Sequence, residues 1–544
     1  MKVERFRWAP GQPLTRDYID QFASVSPFYE YNPWEEGSER ERAAWLDRDG
    51  RPQADRDGLV QALLAYNGKI GNTGANATAH IEALRDRRTL VVAGGQQAGL
   101  FTGPLLVLYK AITILVEARQ ASERLGRTVV PVFWIAGEDH DTDEVNHTYV
   151  LTDSLAVQKI KLNAAPDVKT SVSRWSVPRE AWDDALDQLE RSLMNTEFKA
   201  GLMERLRAIA AESDTLSDQF ARTLAWLFGE YGLVFVDSDD ASLRKLESGM
   251  FRPIVARQSE LSAALLEAKE RLAEAGYAAQ VELAPEQAHL FAYERGERLL
   301  LHRSGDTFAD RKGNVSFTAG ELAELAEREP ERLSNNVMTR PLMQDYLFPV
   351  LSAVLGPSEI AYWGLLRGAF ALFGMRMPIV VPRYEFTLLE GTVQKQMGKF
   401  GLGFDDVVSR LDEKQDEWLK AQGSLQVEEL FAETKAKFAA LYDPVVETVS
   451  GINPGLRKLS ETNRQKIVEQ IEFLQTKTAD AFRTQHDSAL RQWERIRLSV
   501  LPLGKPQERV YNPFQYTVKY GDGWLRELID VPLSRDGCHR IVYF

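Results

Sequence analysis

One cysteine in 544 residues is the chain's sharpest shortage. Cys538 alone can form no intramolecular disulfide and no thiolate metal cage, so it is expected to be a packed or incidental residue. Long apolar runs are also missing. The most hydrophobic helix candidate, residues 105–116, carries Lys110 and is only a few turns long, short of a bilayer span. The opening Met1-Lys2-Val3-Glu4-Arg5-Phe6 lacks the apolar stretch of a signal peptide. Positive charge is in deficit, with a formal net charge of −13, which argues against a general affinity for nucleic-acid backbone. These shortages predict a cytoplasmic protein with no membrane and no nucleic-acid partner. The length predicts two or three domains.

Short apolar strands do alternate with helices through the first two-thirds. Residues 89–93 form one, ended by Gly94-Gly95, and a long apolar helix follows from Pro104. Residues 129–136, 232–236, 348–355 and 377–381 are further strand candidates, each followed by polar residues. This order predicts an α/β fold with a doubly wound parallel sheet, whose ligands sit at the carboxyl ends of the strands. Residues 150–230 look helical and amphipathic, and about 280–335 contain a hairpin-like piece at 290–302. Both are expected as insertions. The expected division is therefore 1–149 and 231–389 as the two halves of the core, interrupted by these insertions.

From 390 to 504 the sequence turns to long polar helices, 425–449 and 456–498, broken at Ile452-Asn453-Pro454-Gly455. Ile467, Ile471, Leu474, Thr478 and Ala481 recur at alternating four- and three-residue steps, a coiled-coil seam whose apolar stripe points to homodimerisation. The tail, 505–544, is strand-like and aromatic-rich, and is expected to pack back on the core.

Chemistry concentrates at strand ends. The segment Gly137-Glu138-Asp139-His140-Asp141-Thr142-Asp143-Glu144-Val145-Asn146-His147 sets five acids and two of the seven histidines directly after a buried strand. Asp141 to Glu144 resembles a capping box, and Asp143 and His147 share a helix face at a spacing of four. One reading is a metal site built from His140, Asp141, Asp143 and His147. Another is a metal-free pocket in which carboxylates hold an ammonium group and a histidine moves protons. A solvated helix start is the third. With no recognised ligand motif, no dedicated protein-bound metal is expected.

The glycine-rich turn from Gly94 through Gly95-Gln96-Gln97 and Gly99 to Gly103-Pro104 would let a ligand approach backbone N–H groups. Gln96 and Gln97 suit an amino-acid-like or sugar ligand. Lys110, inside the following helix, is expected to snorkel. Glu359, Tyr362 and Trp363 begin a helix after Gly356-Pro357. Arg383 after the last strand is a candidate phosphate partner. Trp493, Arg495 and Arg497 with Asn512 form an aromatic and basic group that could hold a nucleotide or serve as surface salt bridges.

The phrases Gly94-Gly95-Gln96-Gln97-Ala98-Gly99-Leu100-Phe101-Thr102-Gly103-Pro104, Val132-Phe133-Trp134-Ile135-Ala136-Gly137-Glu138-Asp139-His140-Asp141 with Glu144 and Asn146-His147, and Gly356-Pro357 through Tyr362-Trp363 resemble the bacillithiol biosynthesis cysteine-adding enzymes. The likeness covers the full length, including Pro382-Arg383 and Lys519-Tyr520-Gly521. It implies a Rossmann-like core with two connecting-peptide insertions and a coiled-coil arm forming a homodimer. It also implies ligation of cysteine to glucosaminyl-malate, the last step of bacillithiol synthesis. By analogy with the class I cysteine ligase of mycothiol synthesis, ATP would activate the cysteine carboxylate for attack by the sugar amine. The class I HxGH and KMSKS motifs are absent, and Phe101-Thr102-Gly103-Pro104 stands where HxGH would be. Gln96, Gln97, Thr102, Glu138, Asn146, Glu359 and Tyr362 would bind substrate. Asp139, His140, Asp143 and His147 would grip the amine or move its proton, and backbone N–H groups near Gly99 to Gly103 would stabilise developing charge. ADP at a second site near the arm nominates Arg383, Trp493, Arg495 and Asn512. The rivals are a metal-dependent amidase using the residues 138–147, and a non-enzymatic nucleotide-binding scaffold.

Overall fold

The computed structural model describes the backbone of residues 1–544 and the side chains of all but residues 424 and 425. The chain divides into two compact units. One is residues 1–387 with 507–542, and the other is 388–506 with the last two residues.

Five strands form the parallel sheet of the first unit: β1 (Leu90–Gln96), β2 (Val129–Ile135), β3 (Val234–Asp237), β4 (Val350–Leu355) and β5 (Ile379–Pro382). Their spatial order is β5-β4-β1-β2-β3, with every neighbour parallel. Numbered along the chain this is 3-2-1-4-5, the doubly wound order with its reversal between β1 and β4. Gly94 pairs with Phe133 on one side and Val354 on the other. The strands are almost wholly apolar because both sheet faces are covered, so no pleat position faces water.

β1 does not stop at Gly94-Gly95 but runs on to Gln96. The glycines serve packing: a Cβ on Gly94 would lie 2.9 Å from Ile114 Cδ1, and one on Gly95 would lie 2.7 Å from the Trp134 carbonyl oxygen. The following helix, Leu106–Leu125, begins later than Pro104. Phe101, Thr102 and Gly103 all have positive φ, which delays helix entry.

The first insertion opens with a hairpin, His147–Leu151 paired with Val157–Lys161, before three helices between Arg179 and Phe228. The helices match the mostly helical character expected of 150–230, and the hairpin is the part not foreseen. The second insertion is a five-stranded antiparallel sheet built around Gln287–Glu294 and Glu297–Ser304. Its turn residues Arg295 and Gly296 are both left-handed, as a two-residue hairpin requires. The tail also departs from expectation. It forms helices Phe514–Tyr520 and Gly523–Ile529, and only His539–Tyr543 is a strand.

In the second unit, helices Leu425–Ile452 and Arg457–Gln485 form an antiparallel hairpin around a turn at Pro454–Leu456. Cross-pairs run in opposite directions: Tyr442 with Asn463, Asp443 with Arg464, and Lys435 with Glu472. The second long helix is interrupted at His486 and resumes as Asp487–Val500, rather than running unbroken to 498. Ile467, Ile471 and Thr478 lie on its half-covered face, whereas Leu474 and Ala481 are exposed. The seam therefore passes beside those two residues. Among the described residues no helix is long and apolar enough to cross a membrane.

Candidate active site

The reversal between β1 and β4 opens a cavity of about 680 Å³, large enough for a substrate of small-molecule size. Gly95, Gln96 and Gln97 border it from the end of β1, and Gly356, Pro357 and Ser358 from the end of β4. The turn after β2 supplies one wall and the second insertion supplies an adjoining one.

The β2 wall is acidic. Asp139 and Glu144 share one donor: the Gln97 amide nitrogen lies 2.6 Å from Asp139 Oδ2 and 2.8 Å from Glu144 Oε2. The backbone N–H of His140 also donates to Asp139 Oδ1 at 2.7 Å. Burial raises the Asp139 carboxyl, but the Gln97 bond, the charge of Arg298 and the backbone donors outweigh it. Asp139 is thus held below the usual carboxylate range and stays an anion at neutral pH. Glu138 also borders the cavity, but its carboxylate accepts from buried Arg244 and from the Asn335 backbone N–H. It positions the wall rather than offering itself to substrate.

His140 is held neutral. Its Nδ1 sits 2.7 Å from Arg298 Nη1, and an arginine can only donate, so the proton of the imidazole resides on Nε2. Burial, Arg298 and Lys169 together push the ring down to about 4. A histidine so placed is a hydrogen-bond donor through Nε2–H, not a base poised near neutrality.

Lys110 overturns the expectation of snorkelling. The helix that carries it is buried on every side from Val107 to Ala118, so its stem has no route to water. Its ammonium instead donates to the Gly95 carbonyl oxygen at 2.6 Å and to Glu359 Oε2 at 2.5 Å, bordering the cavity. Burial lowers the Lys110 ammonium despite the opposing pull of Glu359. Glu359 is raised by burial, yet Lys110 and Arg340 hold it below its ordinary value. The Gly356 N–H also donates to Glu359 Oε2 at 2.8 Å, tying the end of β4 to the same carboxylate. Next to this pair, Arg340 Nη2 donates to the Tyr362 hydroxyl at 2.7 Å.

The adjoining wall is basic. Arg298 lies over the Phe291 ring at 3.6 Å and is fixed by the Ser334 hydroxyl and the Asn335 carbonyl oxygen, besides His140. Asn335 is 1 % exposed, and neither atom of its side-chain amide has a hydrogen-bond partner.

Several nominated residues lie elsewhere. The helix after Asp141 spans only Thr142–Val145, and Asp141 makes no side-chain cap. His147 therefore begins a strand instead of sharing a helix face with Asp143. Asp143 is exposed, and Asn146 and His147 bond to each other, so none of the three borders the cavity. His140, Asp141, Asp143 and His147 do not converge, and among the described residues no three His, Cys, Asp or Glu are grouped to hold a metal ion.

Gly99 and Gly103 close on each other, with a Gly99 Cβ placed 2.9 Å from Gly103 Cα, and their N–H groups bond to Gln97 and Leu100. Gln219 takes the Phe101 N–H, while Thr102 is fully buried away from the cavity. Asn512 donates to the carbonyl oxygens of Phe101 and Gly103, making it a clamp on this loop rather than a nucleotide ligand. Arg383 borders the cavity but is held by Glu508 at 3.0 and 2.5 Å. Within the second unit, Trp493 is buried against Phe400 and Trp418, and Arg495 is half-buried on the same helix.

Arg298, Asn335 and Arg340 also border the cavity, and nothing in their sequence contexts marks them. Only Lys110 carried a signal, a lone charge in a helix apolar on all faces.

Two family models together match nearly the whole chain: the N-terminal Rossmann-like domain of bacillithiol biosynthesis BshC over residues 1–384, and the C-terminal coiled-coil domain of the same family over 386–544. Similar curated relatives carry the name "Putative cysteine ligase BshC". That of Geobacillus thermodenitrificans is 40% identical over 492 residues, covering 90% of both chains. Those of Geobacillus kaustophilus and Symbiobacterium thermophilum are each 37% identical and cover both chains completely.

Proposed function

Because the chain belongs to the BshC family of bacillithiol biosynthesis, we propose that it is a ligase that joins the carboxyl group of cysteine to the amine of glucosaminyl-malate. The observation that carries this reading is the polarised cavity at the sheet reversal. An acidic wall suits an ammonium-bearing acceptor, and Asp139, an anion at neutral pH, is the group best placed to hold that amine beside the acyl carbon. The Nε2–H of His140 is a donor for the oxygen on which charge develops at the acyl carbon. Lys110 and Glu359 hold the ends of β1 and β4 at a fixed spacing, which orients the two reactants.

Amide formation from a free carboxylate requires activation, and ATP is the proposed source. The residues first nominated for a nucleotide do not fit it: the N–H groups of Gly99 and Gly103 are satisfied internally, Arg383 is taken by Glu508, and Asn512 clamps the loop. No step is therefore assigned to them. Homodimerisation through the second unit is supported by exposed apolar side chains, among them Leu441, Ile452 and Leu459. One preparation tests these points. Purified protein should form bacillithiol from cysteine, glucosaminyl-malate and ATP while sedimenting as a dimer, and the nucleotide released, AMP or ADP, identifies the activated intermediate. A stable, pure protein that gives no ligation would overturn the assignment.

A further inference from the structure

The charges bordering the cavity do not cancel wall by wall. Glu138 is neutralised by Arg244, Glu359 by Lys110, and Arg383 by Glu508. Arg298 and Arg340 are different: among the described residues no carboxylate lies within 4 Å of either guanidinium. Arg340 is half-buried at the start of helix Arg340–Leu347, and the Tyr362 hydroxyl is its one side-chain partner among the described residues, so most of its five N–H donors remain available. Between the two arginines in sequence lies Asn335. Its backbone is held on both sides, the N–H by Glu138 and the carbonyl by Arg298. Its buried amide is nevertheless left without a partner. An unsatisfied buried amide costs about 1–3 kcal/mol, and a polar ligand in the adjoining cavity is a partner that would recover it.

We propose that Arg298, Asn335 and Arg340 form a carboxylate subsite that binds the acidic end of a substrate whose amine faces Asp139. A guanidinium with free N–H donors matches a carboxylate in a planar, two-point contact, and the Asn335 amide can add a further donor. The proposal deepens the ligase reading and rests on it only for which substrate owns the carboxylate: the malyl group of the acceptor, or cysteine itself. The two charge signs adjoin rather than overlap, since Arg298 contacts His140 beside Asp139. A molecule carrying both an ammonium and a carboxylate therefore has a distinct partner for each end.

Titration calorimetry of the full chain with malate, with cysteine and with inorganic phosphate tests it. Malate or cysteine should bind the native chain saturably, and Arg340→Gln and Asn335→Asp should each weaken that binding at least tenfold with little change in thermal midpoint. Loss confined to malate assigns the subsite to the acceptor, and loss confined to cysteine assigns it to the donor. Native binding in both variants, binding of phosphate alone, or no saturable binding to the native chain would overturn the proposal. Should either variant fail to fold, phenylglyoxal modification of the native chain reads the same contact, with malate or cysteine slowing adduct formation at Arg340. Ligation at native KM by Arg340→Gln would refute this subsite and leave the ligase reading standing. Absent ligation with intact malate binding would do the reverse.

Discussion

The two halves of the segment 137–147 are alike in composition and opposite in fate. Residues 138–140 turn into the cavity, where Asp139 is tied to Gln97 and His140 to Arg298. Of residues 141–147, Glu144 still reaches it beside Gln97. Asp141, Asp143 and His147 leave it, because the helix ends at Val145 and His147 begins a hairpin strand whose half-exposed side it shares with Tyr149. Charge density at a strand end marks a neighbourhood. Which charges act is decided by the few backbone torsions that follow.

If position at the cavity decides function, the largest loss should come from a residue outside this segment. Lys110→Met removes one member of a buried ion pair and should cost about 3 kcal/mol or more of stability, read by urea denaturation. Pairing it with Glu359→Gln should restore much of the stability while ligation stays abolished. Recovery of activity in the double variant would show that Lys110 matters only to the fold. Next in size, Asp139→Asn should lower kcat by about a hundredfold, whereas Asp143→Asn and His147→Ala should change it by less than about twofold. Equal losses across the two halves would erase the distinction drawn between them.

The smallest effect concerns pH. His140 is neutral in the folded protein down to about 4, below the ordinary histidine value of 6.5. A depressed folded value favours the neutral form, so its stabilising contribution is complete above pH 6.5 and is lost as pH falls toward 4. Native protein should therefore lose more stability than His140→Gln across that interval, and the ring should titrate near 4 by NMR. A midpoint near 6.5 would show that the imidazole is neither buried nor held by Arg298.

The sheet was legible because strands covered on both faces are continuous apolar runs, and 129–136 or 377–381 admit few other structures. The acidic turn and Gln97 were legible for the same reason, since they directly follow such strands. The hairpin from His147 was not, because its alternation of covered and half-exposed residues follows a convincing helix start. In the tail, Phe514, Trp524 and their aromatic neighbours suggested strands, yet they pack as two short helices. The basic wall was hidden for a deeper reason. Arg298 sits in the charged turn region of a hairpin and Arg340 at a helix entrance, both ordinary solvent-facing contexts. Docking of the second insertion over the sheet brings Arg298 to the cavity, and the helix leading into β4 brings Arg340.

The clamp made by Asn512 ties events in time as well as in space. It holds the carbonyl oxygen of Gly103 from 409 residues further along the chain. At a synthesis rate of about 5–20 residues per second, roughly 20–80 seconds separate the appearance of the loop from that of its fastener. For most of that interval a nascent chain already carries Asp139 and His140, but the turn leading into the Lys110 helix lacks its final restraint. The enzyme thus remains unfinished at its centre until nearly all of it has been made.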